Sequence, residues 1–359
     1  MEIKAYFDKK KEIYDNLLNI LEDSESSNDD FESFVDSIKT EINNDKEEMA
    51  NFVYLLTSIS NNHHRYPKFN SKIEQIFISF KDEINQNISN SELFEIIKIN
   101  KKLLLFLFDQ RIVTIDSYIA DELKSKPDYF DFFLPELKIN SKYEENYCKK
   151  RQIGENDSYI CDLIRQDSVE EFVSYANRTN LQLSKKIERS TFETNLYLIE
   201  NEPSLIEYAA FFGSIQIFQY LQFNHVKLEP NLWFYVIHSK SSELIHLLEE
   251  NEVKPPNDSY LKCFEESIKC HHNDIAEYIK NHFLFEMEES TKKSEKLIEC
   301  IFKYSNYSFL PEILDRNDLF FYFCNYNYNK IVDLLIKQKE EYIQTKIISE
   351  LLCFNSVHL

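Results

Sequence analysis

Ser204-Leu-Ile-Glu-Tyr-Ala-Ala-Phe-Phe-Gly-Ser-Ile-Gln-Ile-Phe-Gln-Tyr-Leu221 is the stretch from which the fold is read. It holds a small pair, Ala209–Ala210, one of the chain's two glycines, Gly213, and the apolar residues Ile217, Phe218 and Leu221 at helical spacing. The other glycine, Gly154, stands far from it. That scarcity excludes dinucleotide-binding, P-loop and kinase-type phosphate loops, which need closely spaced glycines to bring backbone against phosphate. Asn-Gly and Asp-Gly hairpin turns are absent as well, which argues against sheet-rich classes.

The stretch resembles an ankyrin repeat, Thr-Pro-Leu-His-x-Ala-Ala-x-x-Gly-His-x-x-Ile-Val-x-x-Leu-Leu. Ser204 stands at the Thr, Ile206 at the Leu, Ala209 and Ala210 at the small pair and Gly213 at the turn between helices. The small pair lets neighbouring repeats approach closely, and the glycine takes the positive φ that closes the first helix. With Ile217 as the mark, the frame recurs at Leu244, Ile275, Phe309 and Ile331. Two of these spacings lie near the ~33-residue ankyrin period and two fall short. The turn position is filled by Gly213, Lys240, His271, Ser305 and Asn327 in turn. The small pair degrades to Val236–Ile237, Ser267–Ile268, Ile301–Phe302 and Phe323–Cys324, which implies wider helix spacing. Fainter units place Asp167 at a turn after Ile160 and Asn100 at a turn before Leu103–Phe108. As a whole the chain is similar to the divergent, Gly-poor ankyrin proteins of some protozoan genomes, in which a helical leader precedes the repeats.

Upstream, apolar residues recur at helical spacing in four stripes: Ile13, Tyr14, Leu17, Leu18, Leu21; Phe31, Phe34, Val35, Ile38, Ile42; Met49, Phe52, Val53, Leu56, Ile59; and Ile73, Ile76, Phe77, Phe80, Ile84. Asn61 to Pro67 breaks the third stripe from the fourth. The expected architecture is all-α, with a helical N-terminal region over 1–137, a polar linker over 138–156 and an α-solenoid of divergent ankyrin-type helix-turn-helix repeats over 157–359.

Charge and cysteines bound the function. A hydrophobic fraction of 43% with 14% aromatics is too rich for a disordered chain. With 41 Lys+Arg against 62 Asp+Glu, the net charge of −21 repels nucleic acid and anionic lipid. Odd, scattered cysteines without a Cys-x-x-Cys pair suit reduced thiols in an intracellular, cytoplasmic setting. No signal peptide is visible at the amino terminus, and the most apolar run, Leu103 to Phe108, is far too short to span a membrane.

Chemical motifs are sparse. Cys263, Cys270, His271, His272 and His282 form the one cluster that suggests a metal, yet the repeat frame makes Cys263 a core position and His271 a turn residue, so the cluster is read as structural. His63–His64 are assigned to a loop and the lone Trp233 to the core. No catalytic, cofactor-binding or metal residue is expected, and the chain is not read as an enzyme. The resemblance implies partner binding through hairpin tips and the concave face beside the first helix of each repeat. The residues it points to are Phe211, Phe212, His238, Lys303, Tyr304 and Tyr326, with other proteins as partners, no nucleic acid and no membrane insertion. The function expected is a non-catalytic scaffold or adaptor; the alternative is a structural protein that self-associates through its helical first half.

Overall fold

In the computed structural model, residues 2–23, 28–42, 45–63, 67–138, 145–284, 291–312, 319–326, 328–333 and 335–337 are described. Among them the chain is helical and forms no strand, save a lone antiparallel bridge between Lys186 and Ser204. Among the described residues no helix is long and apolar enough to cross a membrane. The sequence after Lys337, including Leu351–Leu359, lies outside the described residues, as does Asn327.

The helices are α1 (Glu2–Glu22), α2 (Asn28–Ile42), α3 (Lys46–Asn62), α4 (Pro67–Ser79), α5 (Lys81–Asn87), α6 (Asn90–Ile97), α7 (Lys101–Asp109), α8 (Ser117–Ser125), α9 (Pro127–Phe132) and α10 (Glu145–Ile153). There follow α11 (Tyr159–Arg165), α12 (Val169–Thr179), α13 (Leu196–Asn201), α14 (Leu205–Phe212), α15 (Ile215–Phe223), α16 (Leu232–Ser239), α17 (Ser242–Glu250), α18 (Tyr260–Lys269), α19 (Asn273–Ile279), α20 (Thr291–Tyr304) and α21 (Leu319–Asn325). They divide into two compact units, Leu17–Glu288 and the described residues of Met1–Asn16 with Glu289–Leu359.

In the larger unit, α11/α12, α14/α15, α16/α17 and α18/α19 are antiparallel hairpins whose first helices stack in chain order. One turn chemistry joins three of these pairs. Gly213 (φ 67°), Asp167 (φ 51°) and His271 (φ 57°) are left-handed, and the following amide reaches back to the carbonyl five residues earlier. Ser214 N donates to Ala209 O at 2.9 Å, Ser168 N to Leu163 O at 3.0 Å and His272 N to Ser267 O at 3.0 Å. This closure satisfies carbonyls that a helix end leaves open. Lys240 is left-handed too (φ 54°), its amide donating to Ile237 O at 3.1 Å. Asn100 differs: at φ −115° it is extended, and its side chain caps α7 by accepting from Leu103 N at 3.0 Å. Successive hairpins are also tied by Asp167, whose carboxylate accepts from Gln216 N at 3.0 Å and Ile217 N at 2.9 Å.

The four apolar stripes form helices as their spacing requires. Met49, Phe52, Val53, Leu56 and Ile59 are all buried, as are Ile73, Ile76, Phe77, Phe80 and Ile84. The break falls between Asn62 and Pro67, where α3 ends and α4 begins. In the stretch read as a linker, α10 is anchored by a bidentate pair from buried Arg151 to Glu136, at 2.6 and 3.0 Å. Trp233 and Cys263 sit in the core, as their places in the frame require.

In the smaller unit, Phe7 lies 6.1 Å from Phe302 and 5.5 Å from Phe323, ring centre to ring centre. Ser305 closes α20 with a left-handed turn (φ 54°), and Asn306 N donates to Ile301 O at 3.1 Å.

Candidate functional site

The residues expected to meet a partner fall in two places. Phe211, Phe212 and His238 lie in the larger unit, and Lys303, Tyr304 and Tyr326 in the smaller. Lys303 is exposed, with its ammonium 5.2 Å from the Tyr304 ring centre. Tyr326 is half-buried and its hydroxyl donates to Glu299 at 3.4 Å. Phe211 and His238 correct the expectation: neither offers surface. Phe211 is fully buried and stacks 6.1 Å from Tyr197; His238 is 2% exposed and lies 5.3 Å from Phe211 and 4.2 Å from Tyr197. Phe212 is half-buried against Tyr208.

Burial at the turn end has a local cause. The last turn of α3 packs against the end of α18 and the turn that follows it. Asn62 Nδ2 donates to Lys269 O at 3.3 Å, and Ser58 Oγ lies 3.4 Å from His271 Nε2. Asn195, which caps α13, donates to Asn61 O at 3.2 Å, and Lys240 pairs with Glu22 at 2.8 Å. The side that the ankyrin resemblance assigns to a partner is met here by the chain's own helix.

The contact is rich in histidine. His63, placed in a loop by sequence, caps α3 instead; it is buried and stacks 4.3 Å from Phe69. Its Nδ1 donates to Ile59 O at 2.9 Å, as His272 Nδ1 donates to Ile237 O at 2.8 Å. That pattern puts the lone pair on Nε2 in both rings, and both Nε2 atoms are buried without a hydrogen-bond partner. Burial holds His63 down to about 4 and His271 to about 3, with the proximity of His63 adding to the latter. His238 and His272 are lowered by burial as well. Beside them His238 Nε2 meets Glu266 Oε1 at 2.9 Å, Lys269 meets the same oxygen at 2.8 Å, and Cys270 Sγ donates to Asn62 Oδ1 at 3.8 Å. Burial opposes the Glu266 charge, but the His238 hydrogen bond and Lys269 outweigh it and hold the carboxyl down to about 2.

A second polar cluster lines a cleft between α3, α7 and the loops at 153–155 and 193–195, with Glu74, Lys102, Glu155 and Glu193 on its walls. Burial pushes Glu193 up to about 7, although its carboxylate accepts from Asn195 N at 2.9 Å and Asn156 N at 3.2 Å. The cleft holds about 60 Å³, room for a few waters and well below the several hundred Å³ of an ordinary ligand pocket.

At the opposite end of the hairpins the loops 224–231 and 251–259 are mostly exposed. Between them runs an open groove of about 680 Å³, with Leu228, Pro230 and Val253 along it and Lys227, Glu229 and Lys254 at its rim. Its far wall is fixed from below: Trp233 Nε1 donates to Val253 O at 2.7 Å, and Gln222 Nε2 to Asn251 Oδ1 at 2.8 Å. The ankyrin resemblance points to hairpin tips in general but to none of these residues, because loop side chains carry no periodic signal. Compared with models of known protein families, with curated proteins and with solved structures, the chain gives no significant match.

Proposed function

We propose that the chain is a non-catalytic interaction scaffold, an ankyrin-type array whose hairpin loops bind a partner protein. The observation that carries this reading is the contrast between the covered turn ends and the open groove between loops 224–231 and 251–259. The repeated left-handed turn at Asp167, Gly213, Lys240 and His271 supports the repeat assignment, since each stands at the turn position of its frame. The partner is an extended peptide segment: an apolar side chain rests against Leu228 and Val253, and a basic residue meets Glu252 and Asp258, which leave the groove one carboxylate in excess of Lys227 and Lys254 once Lys227 pairs with Glu229.

Affinity purification of the tagged full chain from its native lysate, beside a Leu228→Asp/Val253→Asp variant, tests this. A specific protein recovered by the native chain and lost by the variant supports the groove. Equal recovery by both overturns it. Recovery of the chain alone overturns the scaffold reading in favour of self-association.

A further inference from the structure

We infer that His238, Glu266 and Cys270 form a binding site for a zinc-like divalent cation, with the Asn62 amide oxygen beside it. One donor atom from each of the three side chains lies within 4.8 Å of the others. The His238 Nε2 to Glu266 Oε1 distance is 2.9 Å, and Cys270 Sγ is 3.7 Å from the same nitrogen. Ligands at ~2.0–2.3 Å around a tetrahedral ion stand roughly 3.3–3.7 Å apart; the His238–Cys270 spacing already matches, His238 and Glu266 must part slightly, and the widest separation, at most 4.8 Å, must close by about 1 Å.

Nitrogen, sulfur and carboxylate oxygen together are the donor set of zinc and its first-row neighbours, and unlike the oxygen cages of calcium or magnesium. Asn62 is oriented for a fourth place. Its Nδ2 donates to Ser58 O at 2.9 Å and Lys269 O at 3.3 Å, which turns Oδ1 toward the Cys270 sulfur.

Binding balances simply. The single hydrogen of the neutral His238 ring, donated from Nε2 to Glu266, moves to Nδ1, and the freed Nε2 lone pair and the Glu266 carboxylate take the metal. The Cys270 thiol proton leaves to solvent, so one proton is released and no electron moves. A divalent cation, one thiolate and one carboxylate sum to zero charge, which relieves the cost of burying them. Lys269, half-buried on the rim, then swings from Glu266 toward water. The ligands come from α16 and from the end of α18, and Asn62 from α3, so the ion ties the two hairpins to the helix across their turn end. Of the sequence cluster, which was read as structural, only Cys270 belongs to this site; Cys263 is packed in the core and His282 is exposed.

The test is Co²⁺ titration of the purified, reduced full chain, followed by Zn²⁺ competition. Expected are one equivalent bound, a thiolate-to-cobalt charge-transfer band and tetrahedral d–d bands, all lost on adding Zn²⁺. Cys270→Ser abolishes the charge-transfer band, whereas Cys148→Ser, at an exposed cysteine, keeps it. Glu266→Gln, a substitution at a half-buried side chain, retains the helical circular dichroism and weakens binding ~10-fold or more. No cobalt spectrum in the native chain, or a band that survives Cys270→Ser, overturns the site.

Discussion

The hairpins of the larger unit have two ends of opposite character. At the turn end, Cys270, His271 and His272 are buried against the last turn of α3; at the loop end, Asn224, Lys227, Glu229, Asn251 and Lys254 face water. Both ends belong to the same helices, so helix propensity does not distinguish them. What differs is the covering. Backbone closure does not decide it, because the loop end uses the same left-handed turn at His225 (φ 58°) and Glu252 (φ 53°), with Val226 N donating to Leu221 O and Val253 N to Leu248 O; the turn end differs in having α3 against it. The lesson is that the end carrying the most polar and titratable chemistry is the end removed from partners.

The comparison is tested first where the loop end is not simply loose. Trp233 is fully buried and holds Val253 O. Trp233→Ala is expected to cost about 3–5 kcal/mol in urea unfolding, and a loss near zero breaks the view of a preformed groove.

Acid attacks the turn end next. His63, His238, His271 and His272 have folded pKa values below the unfolded ~6.5. Below that pH the unfolded chain binds more protons than the folded one, so their stabilisation is complete above ~6.5 and is lost as pH falls toward 4. Each fully shifted histidine contributes a slope of up to ~1.4 kcal/mol per pH unit. Glu193, raised to about 7, acts in the opposite sense and gains as pH falls from 7. The histidines outnumber it. Thermal melts from pH 7 to 5 are expected to show a net loss of roughly 2–4 kcal/mol, with a shallower slope in His63→Gln/His271→Gln. An unchanged slope in the double variant sinks the assignment.

Asn62→Ala removes the donor to Lys269 O and is expected to cost about 1–2 kcal/mol by chemical denaturation. Gly213→Ala places a side chain at φ 67° and is expected to cost about 1–2 kcal/mol. Smallest is Lys254→Ala at the exposed loop, within about 0.5 kcal/mol. A loop substitution that costs as much as Asn62→Ala erases the distinction between the ends.

The hairpins were legible because helical spacing and a turn residue are local features. Gly213 and His271 took the left-handed turns that the frame assigns them, and the stripe from Met49 to Ile59 buried as written. Asn100 misled for a local reason too: Asn serves equally as a left-handed turn residue and as an N-cap, and here it caps α7. The candidate sites were not legible. His238, Glu266 and Cys270 come from two hairpins, and Asn62 lies more than two hundred positions before Cys270.

By itself, then, the sequence determined the striped helices and the left-handed turns at Asp167, Gly213, Lys240 and His271, which depend on residues within a few positions of one another, but not α10 or the cap at Asn100. Only the tertiary structure decided which end of the hairpins is covered. That choice rests on α3 meeting the turn after α18, a contact between distant segments whose donors, acceptors and volumes must fit together. Tyr197 of α13, packed on Phe211 and His238, turned these two from expected surface into core, and the α3 contact set Asn62 beside Cys270.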